Sequence, residues 1–187
     1  STYYGDFVYT DFDQDGSFEF IMNGDPSTFG RRGLLQISNV TGLIKWSGLQ
    51  YEGPYAISEN FIKNDKGAVQ IATSFLTSES GYDIGGAFLM DVDTGISEQP
   101  WQLEDANWGD ITAVAIGSHT ETSDSLVCYG GDDTYDQFIY CGNIETGLKA
   151  WSRDSVIGYP AMMKIIDLDG DEDNELLILS TSGILAA

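Results

Sequence analysis

Three segments of the chain, GLLQISNVTGLIKW, GAFLMDVDTGISEQPW and FIYCGNIETGLKAW, carry the same Thr-Gly pair. Their glycines, Gly42, Gly95 and Gly147, stand 53 and 52 residues apart. A chain that repeats itself at such an interval folds into similar units laid side by side, since a single unit cannot bury its apolar residues alone. A second landmark keeps the same interval: DFDQDGSFEF opens at Asp11 and DLDGDEDNEL at Asp167, 156 residues or three periods later. Trp46 and Trp151 each follow their glycine by four residues, whereas Trp101 follows by six, after Pro100, so the second copy carries a short insertion.

Each copy reads as strands. In the first, aromatic and β-branched residues gather at 7–11, 18–22, 33–40 and 43–47 between Gly, Asp and Asn clusters, and no useful stretch keeps a 3.6-residue apolar period. The expected class is all-β. Four-stranded units of about this length suit the blades of a β-propeller. The predicted organisation is one propeller region over 1–187, with blades at about 5–54, 55–106 and 107–158 and a partial fourth at 159–187. A closed ring takes roughly four to eight blades, so this stretch is expected to belong to a larger ring or assembly. Either it is a piece of a longer polypeptide, or strands of another molecule complete the fourth blade.

Eight basic residues against thirty acidic ones give a net charge of −22, which repels phosphate backbones and anionic lipid surfaces and argues against nucleic acid as a partner. The hydrophobic residues are too evenly spread for membrane insertion. A chain this acidic would be disordered if it lacked aromatics, but 12% Phe, Trp and Tyr supports a packed core. The excess of carboxylates then points to bound cations.

The two acidic segments show where. Asp11, Asp13 and Asp15 occupy the first, third and fifth positions of one turn, with the Ser17 carbonyl at the seventh and Glu19 at the ninth; Asp167, Asp169, Asp171, Asp173 and Glu175 occupy the same positions of the other. Alternating carboxylates in a tight turn direct their oxygens at one point, and an all-oxygen set suits Ca2+ better than Mg2+ or the softer metals. No Glu stands at the twelfth position and the flanks read as strands, so the helix-flanked calcium loop is not expected. The second copy has Ile62, Asn64, Lys66 and Gln70 where the first has Asp11, Asp13, Asp15 and Glu19, and is expected to hold no ion.

These acidic loops resemble the calcium loop of FG-GAP and VCBS-type repeats. The segments ISNVTGLIKW, MDVDTGISEQPW and GNIETGLKAW resemble the quinoprotein-type blade signature, in which a Thr-Gly turn precedes a tryptophan docked between blades. The resemblance implies Ca2+ at the Asp11 and Asp167 loops and blade packing by Trp46, Trp101 and Trp151. Independently of it, one large aromatic per repeat is well suited to burial between sheets.

Cys128 and Cys141 flank a turn-rich segment and are expected to pair as a disulfide, which, with the calcium loops, favours an extracellular or cell-surface location. Asn39-Val40-Thr41 is a glycosylation sequon, placing Asn39 at the surface of a secreted chain. The single His119 has no patterned Ser or Cys partner, and the Gly-Gly pairs read as turns, so no catalytic set is expected. The functional expectation is a non-enzymatic extracellular calcium-binding propeller module for adhesion, ligand recognition or assembly. Its partner would be a protein or carbohydrate, or further copies of itself. Two alternatives stand beside it: a building block of a polymer completed by neighbouring strands, and the propeller part of a polysaccharide-active or quinone-dependent enzyme.

Overall fold

The computed structural model describes residues 7–12, 15–23, 34–38, 44–48, 56–79, 82–96, 110–118, 124–132, 137–154, 158, 160–180, 182 and 185–186. They form four antiparallel sheets, each a meander in chain order. The first contains β1 (Phe7–Thr10), β2 (Glu19–Asn23), β3 (Leu34–Ser38) and β4 (Ile44–Gly48), and the second β5 (Ile62–Lys63), β6 (Val69–Glu79) and β7 (Tyr82–Asp91). The third contains β8 (Asp110–Ser118), β9 (Ser125–Asp132), β10 (Gln137–Asn143) and β11 (Lys149–Asp154), and the fourth β12 (Pro160–Ile166), β13 (Glu175–Ser180) and β14 (Leu185–Ala186). The strands of the first copy lie within a few residues of those read from the sequence, because alternating apolar residues and Gly/Asp turns are local signals.

Alternation also decides how the sheets stack, since successive side chains leave a strand on opposite faces. Val8, Phe12 and Ile21 of the first sheet pack with Ile71, Phe88 and Met90 of the second. The opposite face of the second presents Ala72, Ala87 and Leu89 to Ile116, Val127, Tyr129 and Phe138 of the third. The third sheet then turns Ala113, Ala115, Cys128 and Cys141 toward Met163, Ile165 and Ile178 of the fourth. Its strands β8, β9 and β10 are therefore buried on both faces, which explains why they read as almost unbroken apolar runs.

Backbone pairing of the second sheet is extended by buried serines. Ser58 Oγ accepts the Ala72 N–H at 2.9 Å, and Ser74 Oγ accepts that of Ala56 at 2.8 Å, so residues 56–58 are tied along β6 beside the isolated Ile57–Thr73 bridge. Two of the three Thr-Gly pairs prove to be side-chain-stapled turns, and the third, Thr41-Gly42, lies outside the described residues. Asp91 Oδ1 accepts from the N–H and hydroxyl of Thr94, and Asn143 Oδ1 from those of Thr146, each at 2.7 to 2.8 Å. Gly95 and Gly147 follow at φ +68° and +69°, a conformation that costs a side chain dearly and glycine little.

The propeller expectation is overturned. Three apolar clusters join the first sheet to the second, the second to the third and the third to the fourth, and among the described residues none joins the fourth to the first. The result is four separate sheets of four, three, four and three strands with no closed ring, instead of three four-stranded blades and a part of a fourth. A sequence period sets how often a sheet recurs. It does not set the angle between sheets, and that angle decides whether a stack closes. At the ends of the stack the first sheet exposes Phe7, Tyr9, Phe18 and Met22, and the fourth exposes Met162 and Leu179.

The third and fourth sheets approach closely. A Cβ built on Gly117 would lie 2.7 Å from Ile165 Cβ, and one on Gly130 would lie 2.9 Å from Pro160 Cγ. Gly117→Val is expected to destabilise the chain by about 1 to 3 kcal/mol through overpacking, and paired denaturant melts of the two proteins would measure it. Cys128 and Cys141 are direct cross-strand partners joined by a disulfide, and both are buried. Replacing both by Ala is expected to cost about 2 to 4 kcal/mol, the usual range for a native cross-link. A melt of the double variant that coincides with that of the oxidised parent would contradict this.

Candidate divalent-metal site

The β12–β13 turn is built from its own backbone and carboxylates. Asp167, directly after β12, accepts the N–H of Gly170 through Oδ1 at 2.6 Å and that of Glu172 through Oδ2 at 3.1 Å. Asp169 Oδ1 accepts the Asp171 N–H at 3.2 Å, and Asp171 Oδ1 accepts that of Asp173 at 2.9 Å. Glu175, the first residue of β13, reaches back to accept the Leu168 N–H at 2.8 Å. These bonds curl the turn so that a carboxylate oxygen from each of Asp167, Asp169 and Glu175 lies within 4.8 Å of the others. Such a group could hold a divalent metal ion. Asp171 and Asp173, expected as ligands, are exposed and do not join it.

The group is crowded with like charge. The carboxyl of Asp169 is raised above the ordinary carboxylate range, chiefly by the neighbouring Asp171 carboxylate, with slight desolvation and Glu175 adding to the effect. The N–H that Asp171 donates works in the opposite direction. Asp169 is exposed, and Asn174 anchors the turn by donating from Nδ2 to the Ser118 carbonyl of β8 at 2.7 Å.

The β1–β2 turn repeats the wiring. Glu19 Oε2 accepts the Phe12 N–H at 3.2 Å, Asp11 Oδ2 that of Gly16 at 2.9 Å, and Asp15 Oδ1 that of Ser17 at 2.7 Å. These are the same bonds, position for position, as in the last turn, so the correspondence between the two acidic segments is structural. Glu19 is buried, unlike its half-buried counterpart Glu175. Asp13 lies outside the described residues, and among those that are described Asp11, Asp15 and Glu19 do not gather as the last turn's carboxylates do. In the second sheet the equivalent turn keeps its shape with an amide as the acceptor: Asn64 Oδ1 accepts from Lys66 and Ala68, and Gly67 sits at φ +78°. Gln70 stands where the other turns have Glu, 2% exposed, with no hydrogen-bond partner for its Nε2.

Of the other expected positions, Trp151 lies on the outermost strand of the third sheet opposite Cys141 and is 39% exposed, so two sheets do not enclose it. Asn39, Trp101, His119 and the side chain of Trp46 lie outside the described residues.

No known family profile matches the chain, and no curated protein matches it. Among solved structures it is similar to the Bacillus megaterium YpeB C-terminal domain, at 12% identity over 82% of this chain and 90% of that one, with a TM-score of 0.21. So slight a likeness carries neither a fold nor a function across. The resemblance to FG-GAP, VCBS and quinoprotein repeats is corrected by the fold, whose four separate sheets do not close into a propeller. Its motifs are an acidic turn and a stapled Thr-Gly turn, both local devices open to any antiparallel meander. The calcium-binding propeller module for adhesion, ligand recognition or assembly goes with it, together with its polymer and enzyme alternatives, since each relied on blades of a ring.

Glu172 holds φ +74° at the position that Gly16 and Gly67 fill in the other two turns. A left-handed conformation costs a side chain about 1 to 2 kcal/mol relative to glycine. Glu172→Gly is expected to leave stability unchanged or raised by up to about 1 kcal/mol, after allowing for glycine's greater unfolded-state entropy. Gly16→Ala should lower it. Thermal melts of both variants in chelator would show the opposite signs.

Proposed function

We propose that the Asp167–Glu175 turn is a structural cation site, and that Ca2+ is its ion. The observation that carries this reading is the convergence of the Asp167, Asp169 and Glu175 carboxylates on one point. Three carboxylates form an all-oxygen donor set, which suits a hard ion, and Ca2+ tolerates an irregular ligand arrangement better than Mg2+ with its strict octahedron. The bound ion offsets the repulsion among these carboxylates and fixes the turn that Asn174 ties to β8. Its role is to hold two sheets in register and not to take part in chemistry. A calcium-rich, oxidising compartment outside the reducing cytosol is the setting proposed for the chain, and the Cys128–Cys141 disulfide supports it. Among the described residues no helix is long and apolar enough to cross a membrane.

Saturating Ca2+ at about one hundred times its dissociation constant should stabilise the fold by about 2.7 kcal/mol. The rise should be seen in melts with and without chelator, and Mg2+ at equal concentration should do less. Asp169→Asn keeps the acceptor for the Asp171 N–H but removes a charge, and is expected to weaken Ca2+ binding by about tenfold or more in calorimetric titration. A parent protein whose melt is indifferent to Ca2+ and chelator alike would refute the site.

A further inference from the structure

The first segments of all four sheets converge around an open cleft of about 390 Å³. Thr10 of β1, Glu59, Asn60 and Phe61 ahead of β5, Ser118 of β8 and Lys164 of β12 line it. Its volume falls within the roughly 300 to 1,000 Å³ of small-molecule sites. Its walls are held from several sides. Asn60 Nδ2 donates to the Ile165 carbonyl of β12 at 2.8 Å, Ser58 Oγ to the Asn60 carbonyl at 2.9 Å, and the Ser118 carbonyl accepts from Asn174. Phe61 is braced edge-on by Phe12, with ring centroids 5.9 Å apart. A cleft fixed in this way loses little freedom when a ligand enters.

Two opposite charges meet in it. Lys164 Nζ stands 3.4 Å from Glu59 Oε2, a single long contact between side chains 34% and 45% exposed. Such a pair is weak and opens at little cost. The ammonium carries three donors and the carboxylate two acceptor oxygens, so both keep capacity for a ligand. We propose that this cleft binds a small zwitterion of the amino-acid type, its carboxylate on Lys164, its ammonium on Glu59, and its side chain toward Phe61. Charge selects the class. A net −22 repels a simple anion from the whole molecule, and a simple cation finds carboxylates everywhere on the surface. A zwitterion has no net charge to be repelled, and here it meets both signs side by side. The inference is independent of the cation site, whose carboxylates do not line the cleft.

Calorimetric titration of the full chain in chelator, with L-alanine and L-leucine as probes and acetate, methylammonium and glucose as comparisons, tests it. The amino acids should bind, and acetate and methylammonium about tenfold or more weaker, since each gives up one charge-assisted hydrogen bond. Lys164→Met and Glu59→Gln, both at partly exposed positions, should each cost the amino acids about the same factor while the melt stays that of the parent. Should either variant fail to fold, the ranking of probes on the parent decides alone. Absence of amino-acid binding at tens of millimolar, equal binding of acetate, or binding of glucose in place of the amino acids would overturn the proposal. Failure of this titration with an intact calcium response would leave the cation site standing, and the reverse result would leave the cleft standing.

Discussion

Burial of both faces of the β8, β9 and β10 strands is the constraint on which the remaining architecture rests. Tyr129, Phe138 and Val127 on one face and Cys128, Cys141 and Ile139 on the other are all nearly inaccessible. A sheet apolar on both sides is stable only between two others, so the second and fourth sheets are held against it. The disulfide lies within the second of these interfaces, and the missing side chains of Gly117 and Gly130 let the fourth sheet come close. The first sheet is attached one step further out, through Ile21 and Phe12 on the second.

The chemistry of the chain sits at the ends of strands, where the chain turns. Five turns among the described residues, those at Asp11, Asn64, Asp91, Asn143 and Asp167, are each closed by a carboxylate or amide that accepts backbone N–H groups, an economical way to satisfy donors that no ladder reaches. The same acidic residues that organise the Asp167 turn also crowd its oxygens together, so the turn's local stability and its capacity for a cation have one origin. Asn174 and Ser118 connect that turn to the wall of the cleft, and Asn60 connects the cleft to β12. The cation site and the cleft thus share supporting strands while using different side chains.

Much of this was open to reading from residue order. The two acidic turns, the Thr-Gly turns and the cross-strand cysteines depend on neighbours close in sequence, and their positions followed from spacing alone. The cleft was not legible, because Thr10, Glu59, Ser118 and Lys164 come from four different copies and share no motif. Nor did spacing tell which of five equivalent carboxylates converge: Asp167, Asp169 and Glu175 do, whereas Asp171 and Asp173 do not join them. The off-period insertion near Trp101 marked the second copy as irregular, yet the exposure of Trp151 depends on its place on an outermost strand, which no local pattern records.

The amino-acid sequence by itself determined an all-β chain, its repeat of antiparallel units, the chemistry of its turns and the pairing of its cysteines. All of these are short-range consequences of alternation, glycine and carboxylate placement. Tertiary structure alone decided that the four sheets stay separate without closing into a ring, that one acidic turn gathers its oxygens, and that a cleft forms where the first segments of the sheets meet. Those outcomes depend on the angles and distances at which apolar faces pack, and packing geometry is a property of whole faces in contact, not of any segment's composition.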